Sequence, residues 1–214
     1  MSRAYELSER PPALRQAGIR ECTFDAAGLR MGQFEDPVLV RLRSLQPLAS
    51  GRLAALALPL QVGEVGPVTL FNGEKMDALC LAPGEWLLVG PAGVACKRPR
   101  DLVERLQQEL ASDSTAVFDQ SDGLAGLRVS GAAAPWLLGK LSCLDFARGP
   151  AAGPHCARTR MGDAAVTVHC HAVPGHAWVF DLYVDRSVAH CLWQLLTVSA
   201  PHAAELHADF GAFA

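Results

Sequence analysis

Apolar positions come in short bursts along this chain, and the bursts alternate between a strand-like and a helix-like period. Gly28-Leu29-Arg30-Met31 reads as a short strand. Val38, Leu39, Leu42 and Leu45 fall on one helical face, and Asp36-Pro37 ahead of them predicts a capped helix start. Gly51 to Pro59 is apolar without a clear period. Val68 to Phe71 and Ala78 to Leu81 predict a hairpin around Asn72-Gly73. Beyond Pro83-Gly84, Trp86-Leu87-Leu88-Val89 reads as a buried strand. Asp101 and Glu104 have capping-box spacing, and Leu102, Val103, Leu106 and Leu110 form the stripe of an amphipathic helix.

A second round follows in the same order. Ala116-Val117-Phe118 and Gly126-Leu127-Arg128-Val129 read as strands. Ser130 offers a cap to a helix carrying Trp136, Leu137 and Leu141. Cys156 to Met161 and Ala165 to His171 predict a hairpin around Gly162-Asp163, and Pro174-Gly175 turns the chain again. Trp178, Phe180, Leu182 and Val184 alternate with Val179, Asp181 and Tyr183, the period of a half-buried strand. A last helix starts near Ser187 and buries Val188, Cys191, Leu192 and Leu195. Gly28-Leu29-Arg30-Met31 corresponds to Gly126-Leu127-Arg128-Val129, and the Pro-Gly turns and Trp-bearing strands also correspond. The expected fold class is therefore α+β, a tandem duplication of a β-α-β-β-α unit of the split-βαβ, ferredoxin-like kind. The expected organisation is a polar arm over 1–20, a first repeat over 21–113, a second over 114–199 and a tail over 200–214.

Composition narrows the function classes. The chain has 214 residues, half of them apolar, which is enough to bury a substantial core. The net charge of −3 and the lack of a basic stripe argue against nucleic acid. No apolar run approaches the roughly 20 residues of a membrane-spanning helix. The first residues carry Arg3, Glu6, Glu9 and Arg10 and lack the apolar core of a secretory signal, so a cytoplasmic location is expected. The seven cysteines show no C-x-x-C spacing and read as reduced, packed thiols.

Chemistry-bearing motifs are scarce. There is no G-x-G-x-x-G after a strand, no P-loop, no G-x-S-x-G elbow and no zinc spacing among the cysteines. No catalytic residue is indicated. His169 and His171 share one strand face, with His155 and His176 nearby; a metal ion there is weighed against a solvent-facing surface, and the surface is preferred. Asp119, Ser121 and Asp122 fix a turn or offer oxygens to a ligand, the turn being favoured. Arg128 stands between apolar neighbours in its strand, as an outward-facing arginine or a partner for a ligand carboxylate. Trp136, Arg186 and Trp193 are the residue types that interface cores favour.

Five stretches in order carry a resemblance. They are Val117-Phe118-Asp119-Gln120-Ser121-Asp122-Gly123 with Leu127-Arg128-Val129-Ser130-Gly131-Ala132; Leu81-Ala82-Pro83-Gly84-Glu85-Trp86-Leu87-Leu88-Val89; Lys140 with Cys143-Leu144-Asp145-Phe146; Gly153 with Cys156-Ala157 and Thr159; and Phe180-Asp181-Leu182-Tyr183-Val184-Asp185-Arg186-Ser187 with Leu192-Trp193. The first resembles the aminomethyltransferase and folate-binding superfamily. Together they resemble one branch of it, the gamma subunits of heterotetrameric sarcosine oxidase, from about Leu58 to Leu196. The resemblance implies a fold like the N-terminal part of an aminomethyltransferase. It also implies a non-catalytic subunit of a complex that oxidatively demethylates sarcosine or a related N-methyl amino acid. That complex is implied to use FAD, FMN, NAD and tetrahydrofolate, with no cofactor bound by this chain. The implied partner is the alpha subunit and, through it, beta and delta. The alternative is a stand-alone folate-binding module around Asp119 to Arg128.

Overall fold

The computed structural model describes residues 14, 23–26, 28–34, 38–45, 51–90, 99–111, 114–146, 153–171 and 178–211. The polar arm (apart from Leu14), Asp36-Pro37, Pro174-Gly175 and His176 lie outside them. The described residues form the strands β1 Thr23–Ala26, β2 Leu29–Phe34, β3 Leu39–Ser44, β4 Val65–Thr69, β5 Lys75–Ala82, β6 Glu85–Val89, β7 Thr115–Asp119, β8 Leu124–Ser130, β9 His155–Met161, β10 Ala164–His171 and β11 Val179–Asp185. They also form the α-helices α1 Pro99–Glu109, α2 Ala134–Leu141 and α3 Ala189–Phe210, with a 3-10 turn at Arg52–Leu56.

The strands form two wholly antiparallel sheets. One has six strands in the order β1-β2-β8-β11-β10-β9, and the other five in the order β4-β5-β6-β3-β7. Period-two alternation explains the layering. Phe180, Leu182 and Val184 of β11 point from the six-stranded sheet into a core with Leu137 and Leu138 of α2 and Leu192, Trp193 and Leu196 of α3. Val40, Leu42, Trp86 and Leu88 point from the five-stranded sheet into a second core with Leu102, Leu106 and Leu110. The remaining faces meet each other, with Leu39, Leu79, Leu87 and Val89 of one sheet against Cys156 and Tyr183 of the other. The result is four layers, helices outside and two sheets inside.

Both hairpins form where the turn residues place them. Gly73 takes φ 84°, and its N–H reaches the Leu70 carbonyl at 2.8 Å. The segment after Asp36-Pro37 departs from expectation. It is the strand β3, not a helix. Val38, Leu39, Val40 and Leu42 are all buried, because β3 is covered on both faces. A doubly covered strand reads as a continuous apolar run, and four such residues also satisfy a helical period. Three smaller differences concern helix ends. Asp101 lies inside the first turn of α1. The residue before α2 is Ala133, without a side-chain cap, while the Ser130 hydroxyl lies 3.4 Å from the Arg30 carbonyl. On α3 the buried stripe runs through Ala189, Leu192, Trp193, Leu196, Ala200 and Ala203, leaving Cys191 exposed, and the helix continues past Pro201 to Phe210.

The two matched tetrapeptides are neighbours, not equivalents. β2 pairs with β8, placing Met31 opposite Val129 and Gly32 opposite Arg128. β7 pairs with β3 in the other sheet. The first half thus contributes two strands, β1 and β2, to the six-stranded sheet, and the second half contributes β7 to the five-stranded sheet. Read from β7 and from β2, the five-stranded sheet runs β7-β3-β6-β5-β4 and the six-stranded sheet β2-β8-β11-β10-β9, with β1 on the outer side of β2. The orders match position by position. Since β6 and β7 both run antiparallel to β3, they are parallel to each other, and β6-α1-β7 is a split crossover spanning both halves.

Candidate functional site

The inner face of the six-stranded sheet carries polar groups where an apolar layer is expected. Cross-strand register assembles them. Arg128 lies opposite Asp181, Asp181 opposite His169, and His171 follows two residues on along β10. Arg128 donates from Nε to Asp181 Oδ1 at 2.6 Å and from Nη2 to Oδ2 at 2.7 Å. His171 Nε2 lies 2.7 Å from the same Oδ2. The His169 and His171 rings lie against each other with centroids 3.9 Å apart, tilted by 34°.

Burial sets the electrostatics. Asp181 is 2 % exposed and His169 1 %. Burial pushes the Asp181 carboxyl up, but hydrogen bonds from Arg128 and then His171 outweigh it and hold the group below the usual carboxylate range. The same bond to Asp181 raises Arg128. Burial, then the neighbouring His171, drives His169 down to about 3, so its ring is neutral at ordinary pH. Burial raises the Tyr183 hydroxyl well above its ordinary value. Burial also raises Asp77, which faces the cluster from β5 and is opposed in this by His171. The nearby Cys156 thiol is pushed up to about 12 by burial, which makes it unreactive.

The expected solvent-facing surface at His169 and His171 is therefore corrected. The spacing placed both rings on one face, and the second sheet covers that face. Arg128 also differs from an ordinary outward arginine, since Asp181 engages its guanidinium fork. Beside it, Phe24, Arg30, Met31, Gly32, Arg128 and Ser130 help line a groove of ≈ 450 Å³. Gly32 stands opposite Arg128 and contributes no side chain over it.

The other candidates lie elsewhere. The Ser121 N–H donates to Asp119 Oδ1 at 2.9 Å, and the Leu39 N–H donates to Ser121 Oγ at 3.1 Å, so both residues shape the β7–β8 turn and tie it to β3. Trp136 is half-buried, and its Nε1–H donates to the Gly211 carbonyl at 3.2 Å. Trp193 is 4 % exposed inside the helix-side core. The Arg186 N–H donates to the Gly123 carbonyl at 3.0 Å. The structure brings Arg128 together with Asp181, His169 and His171, and not with these residues. Asp181 was missed in the sequence. Its signal was a lone carboxylate inside the apolar run Phe180-Asp181-Leu182, with a lone arginine in another such run.

A second polar cluster bridges the sheets. Glu85 of β6 pairs with Arg41 of β3 at 2.6 Å and with Arg158 of β9. The arginine side chains are 38 % and 41 % exposed, so water screens them in part. Glu85→Gln is expected to cost about 1–2 kcal/mol in urea-unfolding stability; an unchanged midpoint would show that the bridge contributes nothing.

Among the described residues neither cluster presents an activated nucleophile or an acid–base pair of opposed character. No helix among them is long and apolar enough to cross a membrane.

No family model matches the chain, and no curated protein matches it in sequence. Solved structures do match. A chain of the heterotetrameric sarcosine oxidase from Corynebacterium sp. U-96, in complex with pyrrole 2-carboxylate, is similar with a TM-score of 0.69 and 21 % identity, over 91 % of this chain and 96 % of that one. The glycine cleavage system aminomethyltransferase T from Bartonella henselae is similar with a TM-score of 0.60 and 15 % identity, over 79 % of this chain but 45 % of that one. The chain has the α+β fold of that sarcosine oxidase chain, which is also the fold of part of an aminomethyltransferase.

Proposed function

We propose that the protein is the gamma-type, non-catalytic subunit of a sarcosine-oxidase-like complex that oxidatively demethylates sarcosine or a related N-methyl amino acid. The observation that carries this reading is the near end-to-end likeness to a chain of a heterotetrameric enzyme, 91 % of one against 96 % of the other. The chain spans 45 % of the length of the aminomethyltransferase it matches, so that likeness covers part of the fold. In this reading the organic cofactors, FAD, FMN, NAD and tetrahydrofolate, belong to partner subunits, and the alpha subunit is the direct contact. The cytoplasm suits it, because the described cysteines are all free. The matched strand orders support descent from a duplicated unit, with the exchanged strand as part of that unit. A stand-alone folate site built on Arg128 is disfavoured, since Asp181 already holds its fork.

Co-expression with a large flavoprotein subunit from the same cell tests the proposal. The chain is expected to co-purify with it in equal amount and to show no sarcosine-dependent hydrogen peroxide production alone. Failure to co-purify with any such partner, or peroxide formation by the isolated chain, would overturn the reading.

A further inference from the structure

The His169–His171–Asp181 cluster has a property the scaffolding role does not use. The donor atoms of these three side chains lie within 4.8 Å of one another. Two imidazoles two residues apart on β10 share a face, and the cross-strand carboxylate of β11 joins them on it. Two histidines and one carboxylate are a ligand set suited to divalent transition ions. A second observation is independent of that proximity. His169 is 1 % exposed, and its Nδ1 is buried without a hydrogen-bond partner. Buried polar atoms are almost always paired, and a bound ion is one of the few things that account for an exception.

From this geometry we propose that His169, His171 and Asp181 form a binding site for one divalent transition-metal ion of the zinc class. His169 supplies a neutral ring, as a metal ligand must. His171 and Asp181 supply the two atoms that now share a hydrogen, which moves to the other ring nitrogen of His171 when the ion takes its place. Arg128 grips the same carboxylate and fixes its orientation, the part an outer hydrogen-bonding residue plays around a metal ligand. The charge balance is tolerable. The ion and Arg128 add three positive charges, Asp181 removes one, and Asp77 on the facing sheet brings another carboxyl near His171. Two neutral imidazoles complete the set, and catalytic zinc sites carry comparable net charge with neutral ligands alone.

The test uses the full-length chain, stripped with a chelator and dialysed. Zn²⁺ is titrated by calorimetry and Co²⁺ by visible absorption, which reports nitrogen and oxygen ligation directly. One ion per chain is expected, with a rise in the thermal midpoint on adding Zn²⁺. His171→Ala, at a half-buried position, and His169→Leu, close in shape to the original, are each expected to weaken binding at least about tenfold. Far-UV circular dichroism checks that each variant is folded. If His169→Leu fails to fold, His171→Ala alone decides the matter. His190→Ala with Cys191→Ser, on the exposed face of α3, serves as a control and is expected to leave binding unchanged. No saturable uptake, uptake indifferent to His171→Ala, or uptake abolished by the control would each overturn the proposal.

Discussion

Asp181→Ala is expected to destabilise the protein by about 3–5 kcal/mol, the usual cost of removing one partner from a buried ion pair. The reason lies in what remains. Arg128 would lose both hydrogen bonds of its fork and His171 its hydrogen bond to the carboxylate. The guanidinium sits at 39 % side-chain exposure, so water takes over some of its donors, and the lower end of the range is expected. Removing both partners together should be far milder. Arg128→Leu with Asp181→Leu leaves no uncompensated charge and places apolar side chains between two sheets that already pack Leu79, Leu87 and Tyr183 there. The double variant is expected to recover most of the loss. Guanidinium unfolding in the presence of a chelator measures all three, so that no bound ion contributes. A single variant within about 0.5 kcal/mol of the wild type would show that the pair is not buried as described.

The second large effect is a steric one. Gly131 joins β8 to α2 with φ 109°, a backbone conformation that side chains rarely adopt. A Cβ there would lie 2.1 Å from the Gly28 carbonyl oxygen and 2.8 Å from its carbon. Neither atom can yield easily. The same Gly28 carbonyl accepts the Ala133 N–H at 3.2 Å, and the Gly131 N–H donates to the Trp178 carbonyl at 2.9 Å. Gly131→Ala therefore combines backbone strain with a contact against main chain, and a loss of about 3 kcal/mol or more is expected. The thermal midpoint should fall by several degrees. Gly139→Ala is the comparison, because a Cβ at that helical glycine meets nothing within 4 Å; it is expected to be neutral or mildly stabilising. Equal midpoints for the two variants would refute the account.

The sequence made the order of elements legible wherever turn chemistry was strong. Asn72-Gly73 and Gly162-Asp163 marked both hairpins, and the alternation in Trp178 to Val184 marked β11 and its two faces. Legibility failed where burial on both sides erased the alternation, as in β3. It failed again at the scale of pairing. A tetrapeptide match shows that two segments have similar local needs. It cannot show whether they occupy equivalent places in two sheets or adjacent places in one, and β2 and β8 are adjacent. The candidate site was half visible for the same reason. Period two placed His169 and His171 on one face, but nothing local to β10 says that a second sheet will cover it. Asp181 and Arg128, 53 positions apart, needed the register of two strands before they became a pair.

The exchange of strands also sets how the chain reaches this state. Arg30 meets Ser130 exactly one hundred positions later in the register of β2 and β8. The five-stranded sheet waits for β7, and the six-stranded sheet waits for everything up to β11. During synthesis, β2 leaves the ribosome just after β1 but long before β8 exists, so its second edge must be kept from pairing elsewhere. Such late, distant closure slows folding and makes it all-or-none, since neither half can settle into its native sheet while the other is unfinished.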